Sequence, residues 1–281
     1  MPRWTIDSPA TVEIGDFAAL RIRLISGSVA ILASADTPTL DVAALTGQPL
    51  LVTQEAGILT ITYEDLRWDG LRGWLRPQPH VADLTLTVPA GCPVQLGVVN
   101  ASATMSGIAA SISAKSVSGE LMLDGVTGTV DAKTVSGDLE ARGLDGGITF
   151  HSVTGDLTLA GGSIRQLEAK TISGQVTAEI ELAEGADLRV ATVSGAVAVR
   201  LPACSSVRVD LRSASGKVQS TFDDMRSDGP RPATVAGTLG SGSASLSVTS
   251  MSGEVTLLAR PEPGVTGPSA QPAADRQGGS S

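Results

Sequence analysis

The sequence predicts an all-β fold, a parallel β-solenoid stacked from two-strand coils of about 18–21 residues with an antiparallel N-terminal section. Three observations predict it: one hexapeptide recurs, apolar residues around it alternate with period two, and helix signals are nearly absent. The hexapeptide reads Ser116-Val117-Ser118-Gly119-Glu120-Leu121, then Thr134-Val135-Ser136-Gly137-Asp138-Leu139 and Ser152-Val153-Thr154-Gly155-Asp156-Leu157. It returns around Gly174, Gly195, Gly216 and Gly253, with weaker copies at Gly27 and Gly107. From Gly119 through Gly137, Gly155, Gly174 and Gly195 to Gly216 the spacings are 18, 18, 19, 21 and 21 residues.

Residues 1–100 hold the longer apolar runs, at 20–31, 50–53, 58–63 and 84–88. They read as an antiparallel section of the same domain that caps the first coil, because an open solenoid end exposes unpaired strand edges. Residues 101–260 are the repeat region. Ahead of the motif, Val130, Ala132 and Thr134 mark one buried strand face; after it, Leu139 and Ala141 mark another. The two runs differ in phase, since an unbroken strand with Thr134 inward would turn Leu139 outward. The Ser-Gly pair is therefore a corner that switches parity, with Gly tolerating the backbone that a corner needs. Strand, corner, strand and a looser turn such as 143–147 complete one coil, and stacking places equivalent residues about 4.8 Å apart. The stretch 217–249 interrupts the repeat, and 234–239 reads either as a decayed copy or as half of a terminal hairpin. Residues 261–281, rich in Pro, Gly and Ser, read as a disordered tail.

Composition narrows the function. Aromatics are only 2% of the chain, so the core must be built from Val, Leu, Ile and Ala. A formal net charge of −9 argues against nucleic acid, whose phosphates need a basic surface. The N-terminus has no secretory apolar segment and no run is long enough to span a bilayer, which predicts a cytoplasmic protein, with membrane association left open. Cys92 and Cys204 lie in turn-like segments without a neighbouring His or Cys and read as unpaired thiols, with no metal or cofactor expected.

The T-V-S-G-D-L signature, with V-P-A-G at 88–91, resembles a bacterial β-strand-repeat family of candidate adhesins of unknown function, also called toastrack domains. The resemblance extends over residues 20 to 258. It implies a solenoid-like domain, no established catalytic activity and a scaffold role in envelope-stress systems beside membrane proteins; it assigns no functional residues.

Stacking turns repeated positions into columns. Lys115, Lys133, His151 and Lys170 form an outward basic stripe suited to an acidic partner, glycan or anionic lipid surface. The competing expectation is a solvated strand face, its lysines paired with Asp131 and Glu168. Glu120, Asp138 and Asp156 follow the glycines; Ca²⁺ would need six or more oxygens, so solvated turn acids are favoured. Inward hydroxyls at Ser116, Thr134, Ser152, Thr171, Thr192, Ser213 and Ser250 form a ladder that bonds itself or the corner backbone. A repeated Ser/Thr is not a nucleophile without a base in reach, and the only histidines are His80 and His151. The loop 66–77 concentrates Arg67, Trp68, Leu71, Arg72, Trp74, Leu75 and Arg76. It reads either as a docking loop for a protein or membrane, or as a flap that caps the open end.

The function these features favour is a non-enzymatic binding or assembly platform. A secreted surface adhesin and a polysaccharide-acting β-helix enzyme are the alternatives, the latter disfavoured by the scarcity of aromatic sugar platforms.

Overall fold

A computed structural model describes residues 2–63, 80–223, 225–228 and 233–261. Every regular element among them is a β-strand. The strand ahead of each motif glycine pairs in parallel with its equivalents one repeat away: Val130 lies opposite Ile112 on one side and Ile148 on the other. The strand after the glycine does the same, with Leu139 between Leu121 and Leu157. Two parallel sheets result, joined along one edge by the Ser-Gly corners. This is the expected parallel solenoid.

Alternation and the parity switch explain the core. Thr134 is 6% exposed and Leu139 2%, so an odd spacing of five residues leaves both ends inward across the corner. Layers of Val130, Ala132, Leu139 and Ala141 repeat as Ile148, Phe150, Leu157 and Leu159 and again along the stack, all buried. Branched aliphatics suit these thin layers, where each side chain meets its counterparts above and below.

The corner glycines form one column, for a reason other than the one expected. Gly27 and Gly119 have positive φ, 116° and 109°, but Gly137, Gly155, Gly174, Gly195, Gly216 and Gly253 do not. What excludes a side chain there is the neighbouring rung. A Cβ on Gly155 would lie 2.0 Å from the Gly137 carbonyl oxygen, and one on Gly174 2.0 Å from that of Gly155. The backbone itself fills the space. Gly107 stands outside this column: it follows the second strand of its coil, with φ 70°, and donates its N–H to the Asp124 carbonyl. The corner of that coil is Val98–Ala101, paired with the strand of Ser116 and Ser118.

The coils do not stack in chain order at either end. Residues 19–33 lie between the strands Ile58–Tyr63 and Val81–Val88 on one side and Val94–Ser106 on the other. At the far end the last coil, 244–260, is inserted between 187–202 and 207–220. The glycine column records the same order, Gly216 against the Gly253 carbonyl and Gly253 against that of Gly195. The stretch 233–239 is the terminal hairpin, antiparallel to Val207–Ser213 and to Arg226–Asp228.

Antiparallel strands also close the first end. Arg3–Ile6 covers Leu50–Glu55, and Ala10–Glu13 covers Thr39–Thr46. The N-terminal hundred residues thus hold both these cap strands and parallel rungs.

Candidate binding surface

Each corner is tied by its own hydroxyls. The Gly155 N–H donates to Ser152 Oγ at 2.7 Å, and the same bond recurs from Gly174 to Thr171 (3.0 Å), Gly195 to Thr192 (2.9 Å), Gly216 to Ser213 (3.0 Å) and Gly253 to Ser250 (2.8 Å). At the start of the ladder Ser116 donates to the Ser118 carbonyl, and Thr134 donates to Ser152 Oγ. These buried hydroxyls hold the corner by accepting from or donating to its backbone or the next rung.

The second motif residue points away from the core. Ser136 N–H donates to the Val117 carbonyl, Thr154 to Val135, Ser173 to Val153, Ser194 to Ile172 and Ser252 to Val193, which fixes these residues in one column. Ser136, Thr154, Ser173, Ser194 and Ser252 also donate their hydroxyls to those same carbonyls. Val117, Val135, Val153, Ile172, Val193 and Met251 are 38% to 61% exposed. Among the described residues only Leu32 is another large hydrophobic so exposed. Six consecutive rungs at about 4.8 Å make an aliphatic crest roughly 25 Å long. An exposed apolar patch this ordered marks an interaction surface more readily than scattered apolar residues do. The signal is present in the repeat, since Val135 directly follows inward Thr134 and must face outward.

Charge lines both flanks of the crest. Lys115, Lys133, His151 and Lys170 are in register on the first sheet, two residues before the aliphatic position. Lys133 pairs with Asp131 at 3.4 Å, and Lys170 pairs with Glu168 and lowers its pKa, chiefly through their hydrogen bond. His151 lies 4.0 Å from Glu168. On the other flank Glu120, Asp138 and Asp156 are exposed. Asp138 Oδ1 accepts the Asp156 N–H at 2.8 Å, and Asp156 Oδ1 accepts that of Gln175 at 2.7 Å, so these acids clip adjacent rungs together. Among the described residues no three His, Cys, Asp or Glu side chains converge as a metal site. Arg67, Trp68, Leu71, Arg72, Trp74, Leu75 and Arg76 lie outside the described residues. Cys92 is buried and Cys204 exposed, both as free thiols.

The part of the crest from Val153 to Met251 falls within the part of the chain that bears a family signature. Residues 148–258 match the family described as Toastrack DUF4097. That match falls on one segment of the chain. It is shorter than the span of 20 to 258 over which the motif resembles the family, and it takes in the C-terminal part of the stack. Solved structures similar to this chain include a candidate adhesin from Bacteroides fragilis, 10% identical, covering 91% of this chain and 97% of that one, with a TM-score of 0.43. A candidate adhesin from Parabacteroides distasonis is 14% identical, with 90% and 96% covered and a TM-score of 0.39. A candidate lipid-binding protein from the same species is 14% identical, with 89% and 97% covered and a TM-score of 0.35. No curated protein matches the chain. No helix among the described residues is long and apolar enough to cross a membrane.

Proposed function

We propose that the protein is a non-enzymatic binding platform whose contact surface is the corner crest of the toastrack segment and the coils before it. The observation that carries this reading is the column Val117, Val135, Val153, Ile172, Val193 and Met251, held in register by backbone and hydroxyl bonds yet left in solvent. A solenoid needs the buried layers and the glycine corners; nothing in its packing requires β-branched side chains at an exposed corner. The occupant is a protein and not an anionic membrane. Lys133 and Lys170 already share their charge with Asp131 and Glu168, and an acidic row runs along the opposite flank, so the net pull on anionic lipid is small. A scaffold role beside membrane proteins in envelope stress, from the cytoplasmic side, extends this reading on the strength of the family resemblance.

Photo-cross-linking in cells tests it. A photoreactive residue at Val153 should give covalent protein adducts, and one at Thr149, on the flat outer face, should not. Absence of adducts from Val135, Val153 and Ile172 alike would retire the crest as a binding surface. Cell fractionation separately tests the cytoplasmic placement.

A further inference from the structure

The two flanks of the crest carry opposite charge at two successive rungs, those of Val117 and Val135. Lys115 and Glu120 bracket Val117, Lys133 and Asp138 bracket Val135, and His151 and Asp156 bracket Val153. Across the crest the order is therefore cation, aliphatic, anion over two successive coils, with an imidazole in place of the cation at the third. Only one symmetric pairing of two such crests matches opposite charges. A two-fold axis parallel to the stack exchanges left and right but leaves each rung facing its own equivalent, which sets Lys115 against Glu120 and Lys133 against Asp138. A two-fold axis across the stack, turning the second crest end over end, sets base against base and acid against acid, which is unfavourable.

We propose that two copies of this chain dock crest to crest, side by side and in parallel, with the aliphatic column of each packed on its counterpart. This rests on the crest being the binding surface and names its partner. The contact is isologous, as a two-fold dimer requires. Five residues separate the charged rows, at most about 16 Å at 3.3 Å per residue. With a crest roughly 25 Å long, both copies together bury somewhat under about 1,000 Å², the low end for specific interfaces. A reversible, concentration-dependent dimer is therefore expected.

Cross-linking distinguishes the geometry. In a background carrying Cys204→Ser, single cysteines at Val135, Val153 and Ile172 should each give a disulfide-linked dimer under mild oxidation, because every crest residue faces itself. An end-over-end dimer brings at most one crest position onto its own equivalent, so cross-linking at one position alone overturns the proposal. Sedimentation equilibrium of the full chain supplies the second arm. The native chain should dimerise, and Val135→Asp with Val153→Asp should be monomeric at every concentration with an unchanged circular dichroism spectrum and melting temperature. Lys115→Glu should weaken the dimer at least several-fold by facing Glu120, and adding Glu120→Lys should restore it. A native chain that stays monomeric, or a charge swap that fails to rescue, rejects self-association. Adducts from Val153 to a different protein in cells would, in that case, leave the platform reading standing.

Discussion

At Gly155 even a methyl group collides with backbone. The Cβ of Gly155→Ala would sit 2.0 Å from the Gly137 carbonyl oxygen and 2.9 Å from Ser152 Oγ, and the rung behind is held by its own ladder bonds. Overpacking against backbone should cost about 3 kcal/mol or more, read as a lower denaturation midpoint. Ser152→Ala removes the acceptor of the buried Gly155 N–H and should cost about 1–3 kcal/mol. By contrast Val153→Thr and Lys133→Ala, both on exposed positions, should stay within about 0.5 kcal/mol of the native chain. Equal losses at Gly155 and Lys133 would contradict the corner geometry. Burial also sets an alkaline limit. It pushes the Cys92 thiol up from 9.0 to about 11, and burial with the Asp83 charge pushes Tyr63 from 10.0 to about 12. Both groups hold their protons longer when folded, so their contribution is whole below pH 9 and is lost as pH rises through the folded values. The melting temperature should fall above about pH 9, and Cys92→Ala should flatten the first part of that fall. Iodoacetamide should label Cys204 in the native protein and reach Cys92 only on unfolding.

A coil belongs to its neighbours in space, and at the C-terminal end those are not its neighbours in sequence. Leu188 and Val190 pair with Leu246 and Val248, which in turn pair with Val209 and Leu211. Among the described residues the coil 207–220 therefore pairs with the stack only through 244–260 on its parallel side, with the strand 233–239 on the other. Truncation after residue 243 should release 207–220 along with the deleted coil. Hydrogen exchange should then show amide protection lost across 207–220 and 233–239 and retained in 112–179, since repeat stacks are stabilised by nearest-neighbour interfaces. Retained protection in 207–213 would mean that this strand can pair directly with 187–192, and would overturn the inserted-coil account.

At the scale of the whole molecule, an open stack of parallel rungs would end in two rows of free N–H and C=O groups. The protein covers them with antiparallel strands: at one end 50–55 and 39–46, themselves covered by 3–6 and 10–13, and at the other 233–239 with 226–228. Deleting residues 1–13 would bare Leu50–Glu55 and Thr39–Thr46, both rich in strand-forming apolar residues. Concentration-dependent end-to-end association should follow, visible as growing particles in light scattering and insensitive to Val135→Asp with Val153→Asp. That insensitivity separates it from docking through the crest, which runs along the side of the stack.

The sequence by itself determined the coil. Period-two alternation needs one buried face, and the odd spacing between Thr134 and Leu139 forces a corner, because side-chain direction in a strand depends only on parity. The inward hydroxyls and the glycine column follow from the same repetition. Tertiary structure decided what repetition cannot carry. The steric reason for Gly155 is a carbonyl eighteen residues back in the chain, and no local preference encodes that contact. The Gly107 copy shares the motif's letters but sits at the other turn, where a positive φ calls for glycine. The order of the terminal coils was likewise hidden, because equivalent strands present nearly the same pairing edge and choose among them only when the whole stack assembles. The crest lies between these cases. Its outward direction was legible from parity at Val135, but that six such residues form one uninterrupted solvent-exposed column depends on the rungs stacking in register, with Met251 brought beside Val193 by the inserted coil.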